Sequence, residues 1–506
     1  MYPTPAPDLR PNTLAFENLP LIKSTGFREY DARWWFGVPS SKNLPELNLM
    51  GVTALGMGIG TLLGEFGVRR EVVTGPDFRA YSSSIKLALI SGLMAAGCKV
   101  HDIGLALTPM SYFAQFALDV PAVATVTASH NENGWTGVKM GSRRPVTFGP
   151  EEIGRLKEIV LGGTFATKSG GEYVFEDKFA DRYMADLTNR PKFKNRIKVV
   201  AACGNGTAGP FAPKVLAALG ADVVPLDAEL DYTFPHYNPN PEDLEMLHVM
   251  SKAVLDNKAD IGLGFDGDGD RCGVIDNTGD EIFADKVGVM LARDLSAIHP
   301  GSTFVVDVKS TGLFMTDPVL KANKVKPDYW KTGHSYIKRR VNELNALAGF
   351  EKSGHYFFNQ PIGRGYDDAL VSAIAILDML DRNPGKSMAD LKNALPKTWG
   401  SPTMAAHCPD EEKYAVADKV RDRFIAMKEK GEKVAGHAIT SLVTVNGVRV
   451  VADDGSWGLV RASSNKPELV VVVESPVSEA RMREMFTVVD TVMRENPSVG
   501  AYNQTI

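Results

Sequence analysis

Three aspartates alternate with glycine in Gly264-Phe-Asp-Gly-Asp-Gly-Asp-Arg271, directly after an apolar run, KADIGLGF. Asp266, Asp268 and Asp270 put three carboxylates into five residues, and like charges so close repel unless a cation joins them. Interleaved glycines let the backbone turn tightly enough for the oxygens to converge. All-oxygen ligation suits Mg²⁺. An EF-hand also opens D-x-D-x-D, but it needs Gly at its sixth position and Glu at its twelfth. Here those positions are Arg271 and Asn277, which excludes it. A solvated acidic turn is the bland alternative.

A second chemical segment is Thr125-Val-Thr-Ala-Ser-His-Asn-Glu-Asn-Gly-Trp-Thr-Gly-Val-Lys-Met140. An apolar strand delivers Ser129 and His130 into a polar loop, and Lys139 follows. The G-x-S-x-G pattern of an acyl-transfer serine is absent. A serine that carries a phosphate, neutralised by lysine and a divalent cation, fits better beside an Asp-rich loop. In Phe350-Glu-Lys-Ser-Gly-His-Tyr356, alternation would put Glu351, Ser353 and His355 on one face of an extended segment. Such a face suits sugar hydroxyls and proton transfer. Arg461-Ala-Ser-Ser-Asn-Lys-Pro-Glu468 offers Arg461, Ser463, Ser464 and Asn465 as a phosphate cradle. Three further segments place cationic or titratable groups beside short apolar elements. They are Phe27-Arg28-Glu-Tyr30-Asp, Asp307-Val-Lys309-Ser310 and Thr332-Gly-His334-Ser-Tyr-Ile-Lys338. One motif competes: Gly204-Asn-Gly206-Thr-Ala-Gly209 fits the dinucleotide fingerprint G-x-G-x-x-G. It accounts for none of the other segments, and tight strand-to-helix turning alone can produce it.

These loops need a scaffold. Segments 72–104, 197–227 and 302–330 each read as strand, polar turn, amphipathic helix and second strand. That alternation predicts βαβ units and three similar α/β domains with mixed, largely parallel sheets. The last hundred residues differ. A helix over 411–431, strands over 441–463 and 469–475 with a turn at Asn446-Gly447, and a helix over 478–495 predict an antiparallel α+β domain. Pro- and Gly-bearing segments near 189–196, 296–302 and 395–403 suggest domains at 1–188, 189–297, 298–402 and 403–506.

The chain has 506 residues, 44% hydrophobic and 23% charged, which is ordinary for a folded globular protein. Its 56 Lys and Arg against 61 Asp and Glu give a net charge of −5, so no global positive field favours nucleic acid or an anionic membrane. The best apolar stretch, 51–63, has 13 residues and four glycines, where a bilayer span needs about 20 apolar residues. Cysteines 98, 203, 272 and 408 lack metal-ligand spacing, which predicts a reducing compartment. With no basic region and apolar run at the N-terminus, the expectation is a cytoplasmic protein.

Taken together, from about Gly26 to Glu474, the segments resemble the α-D-phosphohexomutase family, phosphomannomutase/phosphoglucomutase type. The stretch containing Ser129 looks like the family's phosphoserine loop and DGDGDR like its metal loop. EKSGH looks like its sugar-recognition loop and RASSNKP like its phosphate-binding loop. Departures are Phe350 where the family usually has Gly, Trp135-Thr-Gly137 in the catalytic loop, and Ser464-Asn465 in the phosphate loop. The resemblance implies interconversion of hexose 1-phosphate and hexose 6-phosphate (mannose and/or glucose) through a phosphoserine and a 1,6-bisphosphosugar. It also implies Mg²⁺ on Asp266, Asp268, Asp270 and an oxygen of phosphorylated Ser129, with catalytic hexose 1,6-bisphosphate as activator. Arg28, His130, Lys139 and Arg271 would act in catalysis, and His355, Lys139 and His334 are candidates for proton handling. Tyr30, Lys309, Glu351, Ser353, His355, Arg461, Ser463, Ser464 and Asn465 would bind substrate. The expected partner is a phosphosugar, and the expected assembly is a monomer or homodimer. A phosphoglucosamine mutase and a metal-dependent sugar phosphatase are the alternatives.

Overall fold

Short β-branched runs ending in Gly, Pro, Asp or Ser form strands that stop where polar loops begin. The computed structural model describes residues 3–39, 41–464, 466–504 and 506. Asn465 of the expected phosphate cradle lies outside the described residues. The chain divides into two units: Met1–Phe283 with Ser353–Ala389, and Ala284–Lys352 with Asp390–Ile506.

The first unit holds a six-stranded sheet in the order Ala32–Trp35, Trp135–Gly141, Ala122–Val126, Glu71–Thr74, Lys99–Asp102, Glu172–Phe175. Its last four strands run parallel, and the first two are antiparallel additions. The apolar stretch noted in the sequence is helix Leu49–Glu65, buried along most of its length against helix Ser82–Ala95. A five-stranded mixed sheet follows, ordered Glu281–Ile282, Cys272–Asp276, Ile261–Phe265, Lys198–Ala202, Asp222–Leu226. Strands Tyr356–Phe358 and Tyr366–Asp367 form an antiparallel pair in this unit and lead into helix Ala369–Asp381.

In the second unit, Thr303–Asp307 pairs in parallel with Lys326–Trp330 and Ala348–Phe350. The C-terminal sheet is antiparallel, running Trp399–Gly400, Glu468–Ser475, Trp457–Ala462, Val448–Ala452, His437–Val443, Lys433–Val434. Helices Lys413–Glu429 and Glu479–Arg494 cover one face and bury Phe424, Met485 and Val489. The expected turn at Asn446-Gly447 does join two of these strands.

Candidate active site

In the first unit, Ser129, Lys139 and the three aspartates meet at strand ends. Asp266, Asp268 and Asp270 follow strand Ile261–Phe265 and are fully buried. Oxygens of all three lie within 4.8 Å of one another. Ser129 follows strand Ala122–Val126 with φ +54°, and its Oγ stands 3.4 Å from Asp266 Oδ2 and 3.3 Å from His130 Nδ1. The two loops touch through backbone: a methyl group at Gly267 would sit 2.6 Å from the Ser129 carbonyl oxygen. Only glycine allows that approach.

Lys139 lies on strand Trp135–Gly141, and its ammonium donates to Asp268 Oδ2 at 2.8 Å and to Asp270 Oδ2. Thr108 and Thr127 hydroxyls add bonds of 2.5 and 3.0 Å to the same Asp268 oxygen. Burial opposes ionisation of Asp268, but Lys139 and the two hydroxyls hold its carboxyl below the usual range. Asp266 goes the other way: burial first, then the charges of Asp268 and Asp270, push it far above that range. Among the described residues, Oδ1 of Asp268 and Oδ1 of Asp270 accept no hydrogen bond. A buried carboxylate group with spare acceptors, whose repulsion one lysine relieves only in part, fits a cation with oxygen ligands.

Arg271 donates from Nε to His355 Nε2 at 3.0 Å and from Nη1 to Glu242 at 3.1 Å. The other ring nitrogen, Nδ1, faces Asp367 at 3.0 Å and Asp270 at 3.6 Å. Burial, then the charges of Arg271 and Arg33, hold the His130 imidazole well below its usual range, so it is neutral. Arg28 and Tyr30 precede strand Ala32–Trp35, which pairs with the Lys139 strand; Tyr30 is buried.

In the second unit, the predicted residues follow the C-terminal ends of parallel strands, where α/β sheets place ligands. Lys309 follows Thr303–Asp307, His334 follows Lys326–Trp330 and Glu351 follows Ala348–Phe350. Glu351 Oε1 accepts the Gly333 N–H at 2.5 Å, holding the turn before His334. Arg461 and Ser463 are buried at the end of strand Trp457–Ala462. Arg461 Nη1 donates to its neighbour's carbonyl, that of Ala462, while its buried Nε has no hydrogen-bond partner among the described residues. The Asn446-Gly447 turn abuts both segments. A methyl at Gly447 would stand 2.7 Å from Arg461 Cα, and Asn446 Oδ1 accepts the Thr332 N–H at 3.4 Å.

One local expectation fails. Residues 352–354 form a turn rather than an extended segment, with Gly354 at φ +89°. The alternation of Glu351, Ser353 and His355 therefore sets no common face.

Four consecutive family models match the chain. They are the Phosphoglucomutase/phosphomannomutase alpha/beta/alpha domains I, II and III over residues 24–167, 181–279 and 283–399, and the C-terminal domain over 405–492. The chain is 34% identical over 90% of its length to the phosphomannomutase/phosphoglucomutase of Pseudomonas syringae pv. tomato, covering 92% of that protein. The chain belongs to this family. A phosphoglucomutase of Neisseria meningitidis serogroup A is 30% identical over 94% of the chain and 97% of its own length. A solved phosphoglucomutase/phosphomannomutase family structure from Burkholderia thailandensis superposes with TM-score 0.82 at 30% identity, covering 94% of this chain and 98% of that one.

The chain is thus a phosphohexomutase enzyme of three α/β domains and an antiparallel C-terminal domain, with an acidic cluster compatible with a metal ion. No helix among the described residues is long and apolar enough to cross a membrane. Its glycine-rich Gly204–Gly209 segment has a packing role in this mutase. Thr207 N–H donates to the Gly267 carbonyl at 3.2 Å, and Thr207 Oγ1 accepts the Phe78 N–H at 2.9 Å. The segment braces the acidic loop, which accounts for its tight turn.

Sequence reasoning missed the residues that hold the serine loop. Arg79 Nη2 donates to the carbonyls of Ser129 at 3.0 Å and Asn131 at 2.6 Å, and Nη1 to that of Glu132 at 3.1 Å. Asp77 pairs with Arg79 and accepts the Ala128 N–H at 3.1 Å. Their signal was available: Gly75-Pro-Asp77-Phe-Arg79 leaves the end of parallel strand Glu71–Thr74. Asp367, Thr108 and Glu242 had no motif to mark them.

Proposed function

We propose that this mutase interconverts the 1- and 6-phosphates of mannose and/or glucose through phosphorylated Ser129 and a 1,6-bisphosphosugar. The observation that carries this is Ser129 itself. It is a buried hydroxyl, beside three buried carboxylates and a buried lysine, in a loop clamped by Arg79.

Arg461 and Ser463, with Ser464 and Asn465 in the same loop, hold the phosphate the substrate already carries. A guanidinium with a free buried N–H gains a charge-assisted bond when a phosphate oxygen arrives. Lys309, Glu351, Ser353, Tyr30 and His334 orient the sugar. The free sugar hydroxyl attacks the phosphoserine phosphorus in line as the bond from phosphorus to Ser129 Oγ breaks; His355 takes the hydroxyl's proton after exchanging Arg271 for substrate, and in the net step a proton replaces the phosphoryl group on Ser129 Oγ. Lys139 remains cationic, because Asp268 and Asp270 outweigh the cost of burial and raise its ammonium. It faces the negative charge spread over the transferring group. Arg28 and Arg271 add positive charge, and His130 keeps the Ser129 hydroxyl directed. The bisphosphosugar then turns end for end and returns its other phosphate to Ser129.

Asp266, Asp268 and Asp270, with phosphorylated Ser129, would hold Mg²⁺, which neutralises charge on the phosphoryl group. Catalytic hexose 1,6-bisphosphate would restore any enzyme that has lost its phosphate. We place the protein in the cytoplasm as a monomer or homodimer. Four buried free thiols support the reducing compartment. The reading keeps a four-domain division at 1–188, 189–297, 298–402 and 403–506, one loop from each.

The test is a coupled assay on mannose 1-phosphate and glucose 1-phosphate with Mg²⁺ and catalytic glucose 1,6-bisphosphate. Formation of 6-phosphates, abolished by EDTA, with phosphate on Ser129 by mass spectrometry, is the expected result. Free phosphate as the main product would overturn it.

A further inference from the structure

The loop that carries Lys309 is gripped from two sides by the C-terminal sheet of the same unit. Arg449, on strand Val448–Ala452, donates to the carbonyls of Val308 at 2.9 Å and Ser310 at 2.6 Å, the residues flanking Lys309. Its guanidinium lies 3.6 Å from the Trp457 ring centroid and 4.3 Å from that of Tyr329. Trp457 Nε1 donates in turn to Glu474 Oε1 at 3.0 Å. The same oxygen accepts the Gly312 N–H at 2.8 Å and the Thr311 hydroxyl at 3.0 Å, on the far side of the loop. Glu474 Oε2 takes Lys286 and Thr398 at 3.0 Å each. Arg449, Trp457 and Glu474 are all buried. Trp457 pairs across the sheet with both Val451 and Glu474, and its own strand runs on to Arg461.

We propose that Arg449 and Glu474 are positioning residues for Lys309. They fix its loop to the sheet that bears Arg461, so that the sugar-facing lysine and the phosphate-facing arginine keep one spacing. The inference rests on the substrate roles given to Lys309 and Arg461 above. Packing alone does not call for this arrangement, because apolar residues of similar volume fill a buried site as well as ions do. Only directional donors and acceptors fix the orientation of the 308, 310 and 312 peptides. Burial works against the Glu474 charge, but Lys286 and the Gly312 N–H outweigh it and bring its carboxyl down to about 2.

The experiment is mutase kinetics on the full chain with Arg449→Met and Glu474→Gln, each alone and combined with Lys309→Met. If the clamp serves the lysine, its loss matters little once the lysine is gone. Lys309→Met should lower kcat/KM about 100-fold, and each clamp variant about tenfold through KM, with each double variant staying near about 100-fold. Doubles that fall to about 1000-fold, singles indistinguishable from wild type, or an inert Lys309→Met would overturn the inference. Should Arg449→Met or Glu474→Gln not fold, Trp457→Phe keeps a ring under the guanidinium and removes the N–H to Glu474. Its expected KM rise is about two- to fivefold, absent in the Lys309→Met background, and a rise that persists there would overturn the inference. An inactive wild type overturns the mutase reading and this inference together. An active wild type with multiplying variants overturns the positioning role alone.

Discussion

Two buried carboxylates, Asp266 in the first unit and Glu474 in the second, have opposite fates. In the first, Asp266 is pushed up by burial and by its neighbours Asp268 and Asp270, and spare oxygens remain on the last two. In the second, Glu474 has donors on both oxygens and stays ionised. A carboxylate whose partners all come from the chain is scaffolding, because nothing is left to bind. A carboxylate group that the chain leaves under-compensated has stability set aside for a ligand. The contrast separates carboxylates that hold this enzyme together from carboxylates left with room to bind.

Ser129→Ala removes the group that carries phosphate, and mutase turnover should fall by about 10⁴ or more. Sugar-phosphate affinity, read by calorimetry, should stay within a few-fold; retained turnover would mean the acidic region does not serve this serine. Next is Asp268→Asn, for which a turnover loss of about 10²–10³ and a weakened response to added Mg²⁺ are expected. An unchanged metal titration would place Asp268 with the scaffold carboxylates. Arg461→Met removes the cation with a spare N–H, and KM should rise about 10- to 100-fold with kcat changed far less. A fall in kcat alone would move Arg461 into the transfer step.

The smallest effect is on stability. Burial pushes the Asp368 carboxyl, which accepts the Tyr183 hydroxyl at 2.8 Å, up to about 6. The folded state therefore binds more protons than the unfolded state between about pH 4 and 6, and stability falls as pH rises through that window. Glu474 acts in the opposite sense: its contribution is complete above about pH 4.5 and is lost as pH falls toward 2. Asp368→Asn, which keeps the helix cap, should flatten the decline in melting temperature from pH 4 to 6, a change worth roughly 1–3 kcal/mol. An identical profile in both proteins would show that Asp368 titrates normally.

The acidic loop was legible because its glycine-spaced carboxylates lie within five residues and have few other uses. Strand-turn-helix order likewise gave the α/β scaffold and the antiparallel C-terminal sheet. Arg79 and Asp77 were not legible, since they reach the Ser129 loop from about fifty residues away and carry no repeated spacing. Asp367 reaches His355 only because a hairpin brings Tyr356–Phe358 and Tyr366–Asp367 together. The glycine-rich Gly204–Gly209 segment was visible, but its chemistry was not. Only its bond to Gly267 distinguishes a brace from a nucleotide cradle. Alternation likewise suggested a shared face for Glu351, Ser353 and His355, and the turn at 352–354 removes it.

The first unit is discontinuous, interrupted by residues 284–352, and this governs the order of its making. Asp266, Asp268 and Asp270 leave the ribosome well before His355, Asp367 and the helix starting at Ala369, whose N–H bonds the Gly269 carbonyl. At about 5–20 residues per second, the acidic loop waits several seconds for the segment that closes over it. During that interval the nascent chain carries an acidic loop without its covering strands and helix. The acidic loop is therefore completed only once synthesis has passed residue 369, about a hundred residues after its last aspartate.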